Sequence, residues 1–284
     1  MITRQKSLLY FLKVARRPVA QAELMAWCFL LRHESNTGGG NAFYDFVPYG
    51  IGPCSFALLQ EVRKLQAKGF LCFDEENDWR LAPTATVEAP PAEISGDVSR
   101  IVSRFSTMSS RDLTGYITTR FPEYEHSDRQ DPRTERQTAV FTVGYEGASV
   151  DAFLNLLLHN GIKRIIDVRR NPIARRYGFH KSTLMQLCSR LDIHYVHVPD
   201  LGIESQKRRC LETFEDYVKL LNEYSRTTLK NKQSQVLAVS DLAQEIPSAL
   251  VCMERNPKYC HRSRLAKKVA SILNVPVSHL SVNG

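Results

Sequence analysis

Long apolar runs are missing from this sequence. No stretch reaches the roughly 18 consecutive apolar residues that a membrane-spanning helix needs. The segment Met1–Tyr10 has neither the long apolar core nor the small-residue cleavage site of a secretory signal. We therefore expect a cytoplasmic protein that does not associate with a membrane.

Glycine motifs that bind phosphate are also missing. The sequence contains neither a G-x-x-x-x-G-K-[ST] loop nor a G-x-G-x-x-G turn. ATP hydrolysis and dinucleotide binding of the usual kinds are therefore not indicated. The seven cysteines are scattered and odd in number, which favours reduced thiols over a disulfide framework.

The charge balance is basic. Lys and Arg number 38 against 30 Asp and Glu, which gives a net charge of +8. Such a charge permits contact with nucleic acid or another polyanion, although a solvated basic face would give the same balance. With 284 residues, 43% of them hydrophobic, the chain is long enough for two domains with cores of their own.

The N-terminal part has the pattern of three helices followed by a hairpin. Apolar residues recur at helical spacing in residues 7–15, 21–31 and 56–68. Ser55 is expected to cap the third helix and Gly69 to end it. Strands over 70–73 and 79–81 would then form a wing. This order is that of a winged-helix domain, which we place at residues 1–85.

Two segments of this part resemble a known module. Tyr44–Phe56 and Lys68–Leu71 are similar to the N-terminal module of the Panacea (SocA-like) antitoxin group, over about 50 residues. The resemblance implies a helix-turn-helix-like scaffold that contacts DNA or protein. Alternatively, the aromatic residues here simply fill a small core. The third helix carries Arg63, Lys64 and Lys68 but also Glu61, so it is only mildly basic for a recognition helix.

Residues 86–137 are expected to connect two domains. The segment 83–95 is rich in Ala, Pro, Glu and Thr, and helical spacing follows over 98–105 and 109–120, with Ser110 before the second helix. Residues 123–138 are polar and lack periodicity, which predicts a linker.

Strand and helix patterns alternate over residues 138–284. Strands are predicted at 139–145, 164–169, 193–198, 249–252 and 275–280. Helices are predicted at 148–160, 182–191, 213–229 and 261–273, with Ser182 as a cap, whereas 234–245 is compatible with either state. This alternation predicts an α/β fold: an open, mainly parallel, Rossmann-like sheet with helices on both faces, preceded by the mainly helical winged-helix domain.

Four motifs carry a second resemblance, which covers the chain from about residue 139 to its end. They are Phe141–Gly147, Ile166–Pro172, Tyr195–Gly202 and Cys252–Arg262. In this order they resemble the domain-of-unknown-function family numbered 488. The family is largely uncharacterised, so the resemblance implies an α/β fold and a site but no settled reaction. One departure is Ile203 after Leu201-Gly202, where the family often has another glycine.

The motifs place ionisable residues at the carboxyl ends of predicted strands. In an open parallel sheet these ends form one crevice, where ligands bind. The residues expected to converge there are Tyr145, Glu146, Asp167, Arg169, Arg170, Asp200, Glu254, Cys260, His261 and Arg262.

Four of these residues are candidates for catalysis: Cys260, Glu254, His261 and Asp167. Cys260 begins a helix beside His261 and Arg262, so the helix dipole, cationic neighbours and exposure would lower its pKa and make it a nucleophile. The alternative is a structural cysteine. Glu254, and less strongly Asp167, are expected to do acid/base work, for example on the glycosidic bond of a nucleoside. Asp167 could instead form a salt bridge or cap its loop.

A basic loop is the candidate phosphate site. Residues 161–190 hold eight Lys and Arg against the single acid Asp167, and arginine pairs bidentately with phosphate. A solvated basic surface is the alternative. The predicted substrate-binding residues are Tyr145, Glu146, Arg169, Arg170, Arg175, Arg176, His180 and Arg262.

A metal site is a third interpretation of these residues. Cys252, Cys260 and His261, with His180 or His197, supply ligand types, but C-x-x-C and H-x-x-x-H spacings are absent. Adjacent cysteine and histidine rarely ligate one ion together. The sequence therefore predicts no metal and no cofactor, with Cys252 as a buried apolar residue.

These features favour an enzyme that acts on a nucleic acid or a nucleotide-like phosphorylated substrate, in DNA processing, repair or defence. On this interpretation we expect DNA, in preference to RNA, as the nucleic-acid partner. The alternative is a non-catalytic DNA-binding regulator or antitoxin-like protein whose α/β domain senses a phosphorylated ligand. A third interpretation is an accessory protein that works through protein contacts, with the winged helix as its docking module.

Overall fold

The chain divides into two compact units. A computed structural model describes residues 1–76, 78–125, 139–208 and 211–282. The first unit is Met1–Arg129 and the second is Gln130–Gly284. Most of the predicted polar linker, residues 126–138, lies outside the described residues. In the described ranges, no helix is long and apolar enough to cross a membrane.

Helices and two short hairpins build the first unit. The helices are α1 Thr3–Ala15, α2 Gln21–Glu34, α3 Phe56–Ala67, α4 Ala92–Phe105 and α5 Ser110–Arg120. The hairpins are antiparallel and consist of β1 Val47–Tyr49 with β2 Gly52–Cys54, and β3 Leu71–Phe73 with β4 Trp79–Leu81. The strands predicted over 70–73 and 79–81 are therefore confirmed as a hairpin, whereas the β1–β2 hairpin was not predicted.

Helix α2 is the centre of the first unit. It buries nine consecutive residues, from Glu23 to Leu31, because it is apolar around its whole circumference. Helices α4 and α5 pack against it, and α4 also packs against α1. The two helices predicted within the connector thus contribute to this core. The cap of α5 is Ser109 and not Ser110, since the Ser109 side chain accepts a hydrogen bond from the Asp112 amide.

Helix α3 begins and ends as its sequence predicts. The Ser55 hydroxyl accepts a hydrogen bond from the Leu58 amide at 3.2 Å. Gly69 has φ +75°, a left-handed conformation that favours glycine after a helix. Glu61 is buried and accepts hydrogen bonds from Arg4 at 3.0 Å and Gln5 at 2.7 Å.

The second unit contains a five-stranded sheet, all of it parallel. Its strands are β5 Val140–Gly144, β6 Arg164–Asp167, β7 His194–His197, β8 Ser248–Cys252 and β9 Val277–Leu280. Their order in the sheet is β7-β6-β8-β5-β9. The predicted parallel α/β fold is therefore confirmed, with β9 as the predicted edge strand.

Helices flank this sheet. They are α6 Val150–His159, α7 Lys181–Ser189, α8 Phe214–Arg226, α9 Thr228–Asn231, α10 Gln233–Glu245 and α11 His261–Leu273. The segment 234–245 is thus helical, and the helix predicted over 213–229 is two helices. Ser182 is not the cap of α7, which begins after His180 without a side-chain cap. Residues of α8, α10 and α11 share one core with Ile166 and Leu250 of the sheet.

The centre of the sheet is buried on both faces. All five residues of β8 are buried, which is typical of a central parallel strand with helices on both sides. The carboxyl ends of β5, β6 and β8 lie at one edge of the sheet because the strands are parallel and adjacent. This edge is where an open α/β sheet binds its ligands.

Candidate functional site

The turn from β8 to α11 brings chemically active side chains together. Cys252 is the last residue of β8, Cys260 precedes α11 and His261 is the first residue of that helix. Between them, Pro257–Tyr259 forms a short 3-10 turn, in which the Asn256 side chain accepts a hydrogen bond from the Lys258 amide. The chain therefore leaves the sheet and returns to it within one short loop.

Arg262 fixes the loop between β8 and α11 by binding its backbone carbonyls. Its side chain is fully buried, and its guanidinium donates to the carbonyl oxygen of Glu254 and, at 3.0 Å, to that of Arg255. Gly144 lies against the same turn, since a Cβ at this position would be 1.9 Å from the Glu254 carbonyl oxygen. In this structure Arg262, which was predicted to bind phosphate, instead fixes the backbone.

Cys252, Cys260 and His261 form a buried group, which we call the Cys-Cys-His cluster. Their ligand atoms lie within 4.8 Å of one another. The Sγ atom of Cys252 is 3.8 Å from Nδ1 of His261. All three residues are at most 1% exposed. The fold therefore brings two thiols and an imidazole into contact beneath the carboxyl edge.

The imidazole of His261 has a fixed orientation. Its Nε2 lies 3.0 Å from the carbonyl oxygen of Val168, which can only accept, so Nε2 carries a proton. Nδ1 faces Cys252 and the guanidinium of Arg208, whose Nη2 is 2.9 Å away. Burial lowers the pKa of His261, but the charge of Cys252 and the hydrogen bonds with Cys252 and Val168 together outweigh it, so the pKa is raised. The cluster thus attracts positive charge, which Arg208 supplies here.

The two thiols differ in acidity. Burial raises the pKa of Cys260 well above its usual range, and the neighbouring Cys252 raises it further. Burial acts the same way on Cys252, but the Cys260 thiol, which donates to it, and His261 together hold the pKa of Cys252 well below the usual range.

The exposure and lowered pKa predicted for Cys260 are therefore wrong, because its side chain turns inward at the helix start. Cys252 was correctly predicted to be buried. Its surroundings are polar, however, and not those of an apolar core residue.

Glu254 and Arg208 form the solvent side of the cluster. The Oε2 atom of Glu254 is 3.1 Å from the Cys252 sulfur, and its Oε1 pairs with Arg208. The side chains are 19% and 28% exposed, respectively. Burial, followed by negative charge on Cys252, raises the pKa of Glu254. Glu254 was predicted as a site residue, whereas Arg208 was missed although a basic run at 207–209 follows the Leu201-Gly202 motif.

A buried ion pair occupies the end of β6. Asp167 is 0% exposed and accepts from Arg169 Nη2 at 2.5 Å and from the Tyr195 hydroxyl at 2.6 Å. Arg169 also donates to the Tyr145 hydroxyl at 2.9 Å and to the Phe179 carbonyl at 2.8 Å. Three predicted site residues thus satisfy one another and hold the loop after β6. Tyr195, a fourth member, was not predicted as a site residue.

The remaining predicted residues lie on the surface. Arg175, Arg176 and His180 are exposed in the loop between β6 and α7. Arg170 pairs with Asp200 at 3.1 Å. Glu146 is exposed, and its carboxylate accepts a hydrogen bond from the Arg255 amide at 3.0 Å. The phosphate role of the arginine loop stays a prediction.

A cavity of about 390 Å³ lies beside Tyr224, and none of the described residues that line it belongs to the cluster. Tyr224 lines it, and the Tyr224 ring centroid is 5.3 Å from that of His261. Two cations in the cavity wall have acidic partners, Arg170 with Asp200 and Lys207 with Glu223. Its size suits a small polar ligand.

The fold and the site define a class: an α/β protein with an ionisable cluster at the carboxyl edge of a parallel sheet. In this protein, residues 149–269 match the family described as Domain of unknown function DUF488. This match supports the resemblance stated for the C-terminal half and includes the loops after β6, β7 and β8. No curated protein and no solved structure matches the chain. The resemblance of the N-terminal part to the antitoxin module stays a resemblance in sequence.

Proposed function

We propose that the second unit is an enzyme that acts, at the carboxyl edge of its sheet, on a nucleic acid or a nucleotide-like phosphorylated substrate. The position of Glu254 carries the proposal. Its carboxylate is partly exposed at the mouth of a buried group of thiols and an imidazole. A carboxylate at such a boundary can exchange protons with a bound substrate, which is the task of a general acid or base.

Arginines near this edge support a phosphorylated substrate. Arg170 is 39% exposed and Asp200 is 46% exposed, so their ion pair is weak and a phosphate can compete for the guanidinium. Arg175 and Arg176 are exposed in the loop that follows β6. Arginine side chains bind phosphate through two parallel hydrogen bonds. These residues would hold the substrate, while Glu254 acts on it.

For the first unit we propose a role in contacting nucleic acid through α3. The burial of Glu61 against Arg4 and Gln5 removes the acid that made this helix only mildly basic. Its exposed side chains include Arg63, Lys64 and, at the end of the helix, Lys68. A helix with this charge is attracted to the phosphate backbone.

Turnover by the full-length protein tests the enzymatic proposal. Single- and double-stranded DNA, RNA, nucleotides and nucleosides are incubated with it, with Zn²⁺ or Mg²⁺ present. Mass spectrometry then follows strand scission, phosphate release and base release. We expect one of these reactions to occur and Glu254→Gln to lower kcat by about 100-fold or more.

A matched variant controls for this experiment. Glu245 pairs with Arg164 at the start of β6, the opposite edge of the sheet, and is 60% exposed. Glu245→Gln should retain full activity. Absence of turnover across all substrates, or a Glu254→Gln variant as active as the wild type, would refute the enzymatic proposal.

The cavity of about 390 Å³ favours one alternative, a non-catalytic protein that senses a small phosphorylated ligand. On this alternative, nucleotides bind without turnover, and calorimetry detects the binding. Arg170→Ala would weaken it by about tenfold or more, since a hydrogen bond to a charged group contributes about 1.5–3 kcal/mol, whereas Glu254→Gln would leave it unchanged.

A further inference from the structure

The Cys-Cys-His cluster has the donor set of a zinc site. We infer that Cys252, Cys260 and His261 bind one Zn²⁺ ion, with a fourth coordination position beside Glu254. The inference does not depend on the proposed enzymatic activity, because metal binding is measured separately from turnover. It differs from the expectation drawn from sequence spacing, which was that the chain binds no metal.

The distances between the donor atoms suit one ion. Zinc binds cysteine sulfur at about 2.3 Å and histidine nitrogen at about 2.0–2.1 Å, so its tetrahedral ligands lie about 3.5–3.8 Å apart. Cys252 Sγ and His261 Nδ1 are 3.8 Å apart, and the whole set lies within 4.8 Å. Small side-chain rotations would therefore complete the coordination.

The histidine already has the outer hydrogen bond of a metal ligand. Zinc-bound histidines donate their second ring nitrogen to a carboxylate or a backbone carbonyl, which fixes the tautomer and the ring plane. His261 does this through Nε2 and the Val168 carbonyl oxygen at 3.0 Å. Nδ1 thereby keeps its lone pair, on the side of the ring that faces Cys252 and Arg208.

Arg208 shows where a cation fits. Its guanidinium contacts both His261 Nδ1 and the carboxylate of Glu254. A zinc ion would replace the contact with His261, while the ion pair with Glu254 can persist. The Arg208 side chain is 28% exposed, so it can withdraw towards solvent without leaving a buried charge behind.

The surroundings of the fourth position suit a water molecule. Three protein ligands with an open fourth position are typical of catalytic zinc, whereas structural zinc has four protein ligands. Glu254 Oε2 is 3.1 Å from the Cys252 sulfur, so the carboxylate lies next to the coordination sphere. We assign it as a neighbour of the bound water and not as a ligand.

Metal analysis of the full-length protein tests the site. Elemental analysis after purification with zinc in the medium should give about one zinc per chain. The metal-free protein titrated with Co²⁺ should show thiolate-to-cobalt absorption that saturates at one equivalent. Cys252→Ala, Cys260→Ala and His261→Ala should each weaken metal binding about 100-fold or more.

Two further variants test which residues are ligands. Cys188 is another buried thiol of the same unit, in α7, outside the cluster. Cys188→Ala and Glu254→Gln should both retain one zinc per chain. Loss of zinc in Glu254→Gln would show that Glu254 is a ligand and overturn the three-ligand assignment.

A measurement on the wild-type protein tests the site even if the variants do not fold. Zinc should protect two of the seven thiols of the metal-free protein from alkylation, and peptide mapping should identify them as Cys252 and Cys260. The inference is wrong if the protein binds no zinc, if titration gives no cobalt absorption, or if zinc protects other cysteines. Arg208 is then the cation that the cluster binds.

Discussion

His261 Nε2 donates to the carbonyl oxygen of Val168 across 3.0 Å. The bond joins the start of α11 to the loop after β6, so it links two of the loops that form the carboxyl edge. It is fully buried, and a buried carbonyl that loses its partner costs about 1–3 kcal/mol. The side chain therefore contributes to stability whatever its chemical role is.

Substitution of His261 tests this contribution. We expect His261→Ala to lower the free energy of unfolding by about 2–4 kcal/mol, since it removes the hydrogen bond and leaves a cavity. His261→Gln should cost less, because its amide nitrogen can reach the Val168 carbonyl. Urea denaturation followed by circular dichroism measures both. Equal losses in the two variants would contradict the importance of the hydrogen bond.

Asp167 is predicted to stabilise the folded state. Asp167→Asn leaves the buried guanidinium of Arg169 without its charge partner, which typically costs about 3–5 kcal/mol. Asp200→Asn is the matched control, since its ion pair with Arg170 is largely exposed and should contribute less than about 1 kcal/mol. Urea unfolding measures the stability of both variants. Similar stabilities would refute the larger contribution of Asp167.

Two glycines should respond to alanine in opposite directions. At Gly144 the new Cβ would lie 1.9 Å from the Glu254 carbonyl oxygen, so the β8–α11 turn must shift and the melting temperature should fall. Gly96 lies within α4 with no neighbour within 4 Å of an added Cβ. Gly96→Ala should stabilise by about 0.5–1 kcal/mol through helix propensity. Calorimetry checks both, and a stable Gly144→Ala variant would show that the turn yields easily.

The acid stability of the first unit should depend on Asp97. Burial raises the pKa of this carboxyl, but hydrogen bonds from Thr37 and the charge of Arg100 outweigh it and lower the pKa. A lowered folded-state pKa gives stability that is present above the unfolded-state pKa of about 3.9 and is lost as the pH falls through the folded value.

Tryptophan fluorescence can follow this loss, since both tryptophans, Trp27 and Trp79, belong to the first unit. Asp97→Asn should lower stability at neutral pH and flatten its decline between about pH 5 and pH 2. An unchanged pH profile would contradict the role of Asp97.

The sequence predicted the elements of the second unit better than the contacts of its site. Runs such as Ala249–Cys252 are short, apolar and bounded by turn residues, so their length and flanks located the strands. The side-chain direction of Cys260 is set instead by how the loop returns to the sheet. Arg208 reaches the cluster through tertiary packing, which local sequence does not encode. Spacing along the chain therefore gave no sign of a compact donor set.

The first unit illustrates the same limit through charge. In the sequence, Glu61 lowers the net positive charge of α3, but its burial against Arg4 and Gln5 leaves the basic residues facing solvent. Sequence alone does not reveal which charges are internally paired. The consequence can be measured as nucleic-acid binding.

Nucleic-acid binding by the full-length protein should depend on the exposed cations of α3. Each phosphate contact contributes about 0.9 to the slope of log K against log salt concentration. Arg63→Ala and Lys64→Ala should each weaken binding to duplexes of unrelated sequence alike and reduce this slope by about 1. Arg111→Ala, an exposed arginine of α5, is the control and should change neither value. If α3 contacts a protein instead, the α3 variants will bind duplex DNA as the wild type does at every salt concentration, because phosphate contacts would make no contribution at this surface.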